Sequence, residues 1–260
     1  MGLKAACIGP ALSKFRPSVG DGATYSRRLK KLSISVDNLS TVDLGLLTSA
    51  VNRLEEVFLW GLDLTVKQWE EVITAIGEGD SRLKKFYIED IDLSKVDPCL
   101  LARAVNRLEE MDLFGLDLSI QQWEAILTAT GKAECKMKIL NMNSINLTTV
   151  NPKLLASAVN RIGTVRLCET QLTGEQWEAI FTAIRDGNSK MKELYIPENN
   201  FTTVSPSLLA SAVNMLEEVN MSGDTELTLE QVEAILTQSL VKTSTKSINK
   251  VFKFQKKVIF

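Results

Sequence analysis

Pairs of adjacent glutamates are the residues of this sequence whose type and spacing could support chemistry. Glu55-Glu56, Glu109-Glu110 and Glu217-Glu218 could serve as general acid and general base, or hold a divalent cation. The chain contains no histidine, which removes the commonest general base, the Ser-His and Cys-His arrangements and histidine-containing metal sites. A hydrolase that uses carboxylate pairs is kept as an alternative, but our main expectation is a protein without catalytic residues, metal or cofactor.

The setting of these pairs favours a structural role. They recur at one position of a repeat, and in the first half of the chain they alternate with Lys30-Lys31 and Lys84-Lys85. Adjacent strands lie about 4.8 Å apart, so opposite charges would face each other across each of those junctions. The pattern therefore predicts ion pairs between neighbouring strands.

The cysteine spacing and the overall charge limit which cellular compartment and which classes of partner are expected. Cys7, Cys99, Cys135 and Cys168 form no CxxC pair and have no regular spacing, which argues against a disulfide framework or a zinc site. The sequence contains neither an apolar leader nor a run of about 18 apolar residues. With 30 basic and 32 acidic residues spread along the chain, no basic footprint is visible. We expect a cytoplasmic monomer that binds neither nucleic acid nor membranes.

A period of 54 residues organises the chain and decides how every motif is interpreted. One type of segment begins at Leu29, Leu83, Met137 and Met191, and a second type begins at Leu54, Leu108, Ile162 and Leu216. The chain thus contains four copies of a two-part unit, with half-units of about 25 and 29 residues.

Each half-unit opens with apolar residues at relative positions 1, 4, 6 and usually 11, as in Leu54, Val57, Leu59 and Leu64. This spacing resembles the leucine-rich repeat, LxxLxLxxNxL, over roughly residues 28–243. The resemblance implies that positions 4 and 6 face inward from short strands, which stack into a parallel sheet. The half-unit lengths and the helical return look like the ribonuclease-inhibitor type. We therefore predict an α/β fold, a curved solenoid with parallel strands on the concave side and helices on the convex side.

Position 9 departs from this family pattern, because the asparagine expected there occurs only as Asn199. The backbone after the other strands must be satisfied in another way. The residues found at position 9 elsewhere are Asp37, Leu62, Ile91, Leu116, Ile145, Thr170 and, at the least regular unit, Asp224.

Capping signals predict the helices independently of the resemblance. Thr65 and Gln68 have capping-box spacing, which recurs at Ser119, Thr173 and Thr228, and Gly77 can end the first of these helices. Asp97-Pro98, Asn151-Pro152 and Ser205-Pro206 place a cap residue before a proline at the first helical position. Strands and helices therefore alternate along the chain.

The ends of the repeat region look irregular. Residues 1–27 resemble a degenerate N-terminal unit or cap, eight half-units follow over 28–243, and 244–260 look like a frayed or truncated tail. A ninth strand would begin at Thr245, with Lys250 at an inward position.

Trp69, Trp123 and Trp177 stand 54 residues apart and could form a ligand platform. Each precedes an apolar residue by four positions on a predicted helix, so packing between helix and sheet is the favoured interpretation. Cys168 falls at an outward strand position, where its thiol could react.

Positions 3, 5 and 7 of each strand would face the concave surface, where residue types change from copy to copy. Phe58, Trp60, Tyr87 and Phe114 lie on three successive strands, and clustered exposed aromatics bordered by charge are typical of interfaces. The alternative is that these rings only cover one another. The predicted partner-binding set is Phe58, Trp60, Tyr87, Glu89, Asp112, Phe114, Arg166 and Tyr195.

We predict a non-enzymatic module that recognises a protein partner on its concave face. The sequence also resembles the repeat regions of intracellular nucleotide-binding leucine-rich-repeat immune receptors, which implies a regulatory or innate-immune sensing role by analogy. A truncated receptor fragment or decoy with a purely structural role is the alternative.

Overall fold

Strands and helices alternate along the whole described chain. The computed structural model describes residues 29–35, 43–78, 80–89, 91–243 and 251–253, with side-chain positions up to residue 240. The predicted N-terminal unit or cap, residues 1–27, and most of the predicted tail, 244–260, lie outside these ranges. The strands are β1 (Lys31–Ser35), β2 (Glu56–Trp60), β3 (Lys85–Glu89), β4 (Glu110–Asp112), β5 (Ile139–Asn141), β6 (Thr164–Arg166), β7 (Glu193–Tyr195), β8 (Glu218–Asn220) and β9 (Val251–Lys253). The helices are α1 (Leu44–Arg53), α2 (Val66–Gly77), α3 (Pro98–Val105), α4 (Ile120–Thr130), α5 (Pro152–Val159), α6 (Gly174–Arg185), α7 (Pro206–Val213) and α8 (Leu229–Thr243).

The nine described strands form one parallel sheet in sequence order, each paired with the next. Its register aligns the repeat positions, so that Val57 stands opposite Phe86 and Phe86 opposite Met111. These three side chains are fully buried, as are Leu59 and Ile88 beside them. The prediction that positions 4 and 6 face the interior is therefore confirmed.

The core lies between this sheet and the helices. Trp69, Trp123 and Trp177 are at most 2% exposed, which confirms that they pack inward. The Trp177 ring contacts Phe181 of its own helix and Phe201 of the next unit, with centroid distances of 5.7 and 4.8 Å. Contacts of this kind between units bury apolar area that no single unit could bury alone.

The two layers have different natural spacings. Neighbouring strands lie about 4.8 Å apart, whereas packed helices need about 8–10 Å between their axes. With one helix for each strand, the helical layer must be the longer one, and the sheet lies on the inside of the curve. The fold class is the predicted one, an α/β solenoid of parallel strands and returning helices.

The predicted caps begin most of the helices. Thr65, Ser119 and Thr173 form complete capping boxes with Gln68, Gln122 and Gln176, and α2 ends at Gly77 as expected. The Asp97 and Asn151 side chains also accept from helical N–H groups. Ser205 differs, because its hydroxyl contacts that of Ser207 at 3.0 Å and does not cap the helix.

The capping glutamines have a second function that the spacing did not predict. Gln176 Nε2 donates to the carbonyl oxygens of Leu147 and Val150, both at 2.7 Å, in the loop of the preceding unit. Gln122 makes the same pair of hydrogen bonds with Leu93 and Val96, and Gln231 does so with Phe201 and Val204. Each of these buried side chains therefore joins the start of one helix to the loop one unit earlier.

The residue at position 8 explains how backbone groups at the strand ends form hydrogen bonds without an asparagine ladder. Its residues adopt the left-handed conformation in every unit where the structure describes them, which needs glycine or local strain. The Gly61 and Ser144 N–H groups then donate to Glu89 and Cys168 carbonyls of the next unit, at 3.1 and 2.8 Å. The left-handed residues at this position are Gly61, Gly115, Ser144, Glu169, Glu198 and Gly223, with φ between 55° and 78°.

The ninth strand lies further along the chain than the sequence predicted. β9 spans Val251–Lys253, and its register places Phe252 opposite Val219, whereas the apolar spacing of the sequence placed Ile248 at that position and Lys250 at the next inward one. The predicted start at Thr245 is wrong because pairing with β8, and not the apolar spacing alone, decides the register. Within the described ranges, no helix combines the length and the apolar character needed to span a bilayer.

Candidate functional site

The concave face of the sheet carries the predicted site residues. Register places Phe58 opposite Tyr87 and Trp60 opposite Glu89, while Tyr87 stands opposite Asp112. Phe58, Trp60, Tyr87, Asp112 and Phe114 are partly buried and Glu89 is exposed. Six of the eight predicted residues thus come together on β2, β3 and the end of β4.

Phe58 and Tyr87 cover each other across β2 and β3. Their ring centroids lie 4.0 Å apart with an interplanar angle of 4°, and Lys31 Nζ lies 4.3 Å from the Phe58 centroid. We call these three residues the ring stack. For Phe58 and Tyr87 the structure therefore matches the alternative in which the rings pack on one another.

Ion pairs border the ring stack. Lys31 Nζ lies 3.3 Å from Glu56, and Lys85 Nζ lies 3.0 Å from Glu110. The hydrogen bond with Glu110 raises the pKa of Lys85. Burial, together with hydrogen bonding to Glu110, raises the pKa of the Tyr87 phenol well above its usual range, so it stays neutral.

Another predicted pair between strands also forms, since Lys30 lies 3.2 Å from Glu55. Two further pairs were not predicted: Lys138 lies 2.6 Å from Glu109, and Lys192 lies 3.1 Å from Glu217. The glutamate pairs that could have been catalytic are thus largely engaged with lysines of adjacent strands. Within the described ranges, no group of histidine, cysteine, aspartate and glutamate side chains could hold a metal ion.

Trp60, Glu89 and Phe114 form a second group at the ends of the strands, which we call the Trp60 row. Trp60 stands opposite Glu89 where β2 and β3 end, and Phe114 lies in the turn that follows β4. Within the described part of the chain, neither Trp60 nor Phe114 stacks on another ring or lies under a cation.

Asp112 lies next to the Trp60 row, and its carboxylate accepts two hydrogen bonds. Its Oδ2 accepts from Asn141 Nδ2 at 2.7 Å, and its Oδ1 accepts from the Phe114 N–H at 3.0 Å. The pKa of Asp112 is raised to about 6, mainly by burial and also by the Glu89 charge, against the lowering effect of the hydrogen bonds from Asn141 and the Phe114 N–H and of the Arg166 charge. This carboxyl group therefore titrates close to neutrality.

Arg166 and Tyr195 form a separate pair on β6 and β7. The guanidinium carbon of Arg166 lies 5.3 Å from the Tyr195 ring centroid. Burial and the charges of Glu193 and Glu218 raise the pKa of Tyr195 to about 12. β5 separates this pair from Asp112, so the structure divides the predicted set between two regions of the sheet.

The prediction that Cys168 faces outward is wrong, because the residue is buried. Cys168 is 6% exposed and its neighbour at the same position, Asn143, is 7% exposed. Asn143 Oδ1 accepts from the Cys168 N–H at 2.7 Å, so the two residues close this part of the sheet. Position 7 faces outward in β2 and β3 but becomes part of the interior at β5 and β6.

Sequence analysis missed a groove of about 710 Å³ at the ends of β4 to β7. Its lining includes Ser144, Glu169 and Glu198, the three non-glycine residues with positive φ, and Ser144 Oγ donates to Glu169 at 3.0 Å. Asn199 and Thr170 form the inner wall. The signal that could have revealed it is the change at position 9 from aliphatic to polar residues.

Comparison with known proteins finds similarity among solved structures. No protein-family model matches the chain, and no curated protein sequence matches it. The crystal structure of the leucine-rich-repeat-containing protein LegL7 from Legionella pneumophila is similar, with 15% sequence identity, a TM-score of 0.49, and coverage of 87% of this chain and 83% of that one. The repeat pattern of the sequence and its solenoid of parallel strands and returning helices give this chain a leucine-rich-repeat fold.

Proposed function

We propose that this protein recognises a protein partner on the concave face of its sheet, with the contact centred on Trp60 and Phe114. Solenoids of this kind generally act as binding scaffolds, and their curvature creates an extended surface for partners. The observation that carries the proposal is the Trp60 row, whose two partly exposed rings stack on no other ring and lie under no cation of the described residues. Aromatic side chains beside charge are typical anchors of protein interfaces.

The other predicted residues have graded roles in this proposal. Phe58 and Tyr87 support the surface from the ring stack and offer one face of contact. Glu89 and Asp112 select the charge of the partner. Arg166 and Tyr195 form an outlying contact for a partner long enough to cross β5.

We also propose that this recognition is regulatory and takes place in the cytoplasm. The cysteine spacing supports a reducing compartment. A role in innate-immune sensing extends the proposal by analogy with the repeat regions that the sequence resembles.

Affinity capture from the source cells tests the proposal. The native chain should retain a partner that Trp60→Ala/Phe114→Ala loses, because truncating interface anchors typically costs about 2 kcal/mol or more each. Gln121→Ala/Glu124→Ala, on the exposed side of α4, is the matched control and should capture normally. Unchanged capture by the concave variant would overturn the proposal and favour a structural fragment or decoy.

A further inference from the structure

We propose that one edge of the sheet binds an acidic helix of a protein partner, through a column of arginine and lysine residues that precede the strands. This edge lies at the opposite end of the strands from the Trp60 row. It is therefore a second surface, separate from the proposed contact on the concave face. The column occupies the residue directly before position 1 of each unit, which we call position 0.

Position 0 is basic in seven successive units and becomes Met215 in the eighth. Arginine and lysine both occur there, so what the position keeps is the positive charge and not one side-chain shape. Arg28, the first of the seven, lies outside the described residues. We call the six that the structure describes the basic edge: Arg53, Arg82, Arg107, Lys136, Arg161 and Lys190.

The hydrogen-bond ladder of the sheet continues back to position 0. The Arg82 N–H donates to the Asn52 carbonyl oxygen of the preceding unit at 3.0 Å, and the Lys190 N–H donates to that of Asn160 at 2.7 Å. Neighbouring members of the basic edge therefore follow the strand spacing of about 4.8 Å, and the six together span about 24 Å.

Side chains of the basic edge share one cavity. Arg82, Arg107 and Lys136, from the units of β3, β4 and β5, all line a cavity of about 370 Å³. Lys84, Glu55 and Glu109 also line it. Three successive units thus direct their cations towards the same space, where one anionic side chain could reach more than one of them.

The carboxylates of this cavity are engaged by lysines at their own repeat position. Glu55 lies 3.2 Å from Lys30 and 3.9 Å from Lys84, and Glu109 lies 2.6 Å from Lys138. Arg107 donates to the Glu78 carbonyl oxygen at 3.4 Å. Within the described ranges, the members of the basic edge that form no ion pair are Arg53, Arg82, Lys136, Arg161 and Lys190.

Nearby loops do not neutralise the basic edge. Segments 78–81, 132–135 and 185–189, which precede β3, β5 and β7, carry four acidic and two basic residues. Because position 2 is nearly balanced, the rim keeps roughly one positive charge for each unit, or one per about 4.8 Å. This surface therefore attracts an anionic partner.

The density of charge favours an acidic helix among anionic partners. Duplex DNA carries one negative charge per about 1.7 Å and a single strand one per about 3.4 Å. A helix with one carboxylate in each turn presents one charge per about 5.4 Å, close to the spacing of the basic edge, and about 16 residues would run along all six units. Guanidinium groups bind carboxylates through two parallel hydrogen bonds, which suits the four arginines.

Fluorescence anisotropy of a labelled peptide with four Glu-Ala-Ala-Gln repeats tests the proposal on the full chain. This acidic peptide should bind saturably at low ionic strength and weaken as salt rises to about 0.3 M. A counterpart with glutamine for every glutamate should not bind, and a counterpart with proline for two central alanines should bind more weakly. Equal binding of either counterpart would overturn the inference.

Oligothymidylate and phosphatidylserine vesicles are the alternative anions. The acidic peptide should bind more tightly than either of them. Tighter binding of either one, lost when the basic edge is neutralised, would show that the edge recognises phosphate groups and would sink the choice of an acidic helix.

Two double variants with the same change in net charge complete the test. Arg82→Gln/Lys136→Gln removes two exposed cations of the basic edge and should weaken the acidic peptide about fivefold, as expected for two exposed ion pairs. Lys67→Gln/Lys153→Gln, at exposed positions of α2 and α5, is the matched control and should bind normally. Equal weakening by both variants would mean that only the overall charge matters, and the inference fails.

The two surfaces can be tested independently. Trp60→Ala/Phe114→Ala should bind the acidic peptide with native affinity, because these rings lie at the other end of the strands. A loss of peptide binding in this variant, with a native urea unfolding curve, would place the acidic segment on the concave face and contradict the inference.

Discussion

The repeat units of β2 and β4, in the amino half, and those of β6 and β7, in the carboxyl half, share one backbone plan but close the ends of their strands differently. In the amino half, position 9 carries buried aliphatic residues such as Leu62 and Leu116 after a left-handed glycine. In the carboxyl half, Thr170 and Asn199 replace them, after Glu169 and Glu198 in the same left-handed conformation. Conserved geometry with different side chains shows that the solenoid needs satisfied carbonyl groups at this edge and not one particular residue.

The outward residues on the concave face also differ between the amino half and the carboxyl half. In the amino half, lysine and glutamate alternate at position 3 beside a cluster of rings. In the carboxyl half, Glu193 stands opposite Glu218, and the rings are reduced to Tyr195 under Arg166. Because the inward columns stay apolar in both halves, these outward differences are free to serve recognition.

The largest effect on the free energy of unfolding is expected when an aliphatic residue, as found at position 9 of the amino half, replaces Asn199 in the carboxyl half. Asn199 Nδ2 donates to the carbonyl oxygens of Leu167, Ile196 and Pro197, at 2.6, 3.2 and 3.0 Å. Asn199→Leu leaves these buried acceptors without that donor and should lower the free energy of unfolding by about 3 kcal/mol. Urea unfolding measures it.

The control for this substitution is Leu116→Ile, a change of shape at the same position of the amino half. It should cost less than about 1.5 kcal/mol. An equally small loss of unfolding free energy for Asn199→Leu would mean that the hydrogen bonds of the Asn199 side chain do not stabilise the carboxyl half.

Substitutions at position 8 should have a smaller effect on stability, with opposite signs for the glycine of the amino half and the glutamate of the carboxyl half. Gly115 has φ of 65°, and a Cβ added at this residue would meet no atom within 4 Å, so Gly115→Ala should cost about 1 kcal/mol through backbone strain alone. Glu198→Gly relieves the same strain and should stabilise by about 0.5 kcal/mol after the entropy cost of glycine. Thermal unfolding of both variants tests the opposite signs, and destabilisation by Glu198→Gly would show that the glutamate has a stabilising contact.

The smallest effect concerns charge at position 3. Glu193→Lys would give β7 and β8 the opposite charges found between β3 and β4, and should stabilise by about 0.5 kcal/mol. Lys85→Glu should destabilise by a similar amount. Both differences should shrink in 1 M salt, where exposed charges are screened. A Glu193→Lys effect that persists at high salt would point to packing instead of charge.

The 54-residue period predicted the structural features that recur in every unit. It predicted few of the side-chain contacts that are specific to one unit. The inward columns, the buried tryptophans and the ion pairs between strands follow from positions that recur every 54 residues. The second role of Gln122 could not be predicted, because its acceptor carbonyls lie 26 and 29 residues earlier in the chain.

Individual side chains of the candidate site were harder to predict for a related reason. Spacing places Phe58 and Tyr87 side by side, but their side-chain rotamers decide that the two rings stack on each other. Cys168 is buried beside Asn143, which accepts a hydrogen bond from its backbone N–H, a contact that only three-dimensional packing establishes. The start of β9 was misplaced because register depends on the partner strand as well as on the apolar pattern.

The central claim is that the Trp60 row serves recognition and not folding, and unfolding in urea tests it most directly. Trp60→Ala/Phe114→Ala should lower the free energy of unfolding by about 1 kcal/mol for each ring, because both are partly exposed. Phe86→Ala, on the inward side of β3, should lose about 3–5 kcal/mol. A loss for the double variant as large as that of Phe86→Ala would contradict the claim, since these rings would then be part of the core.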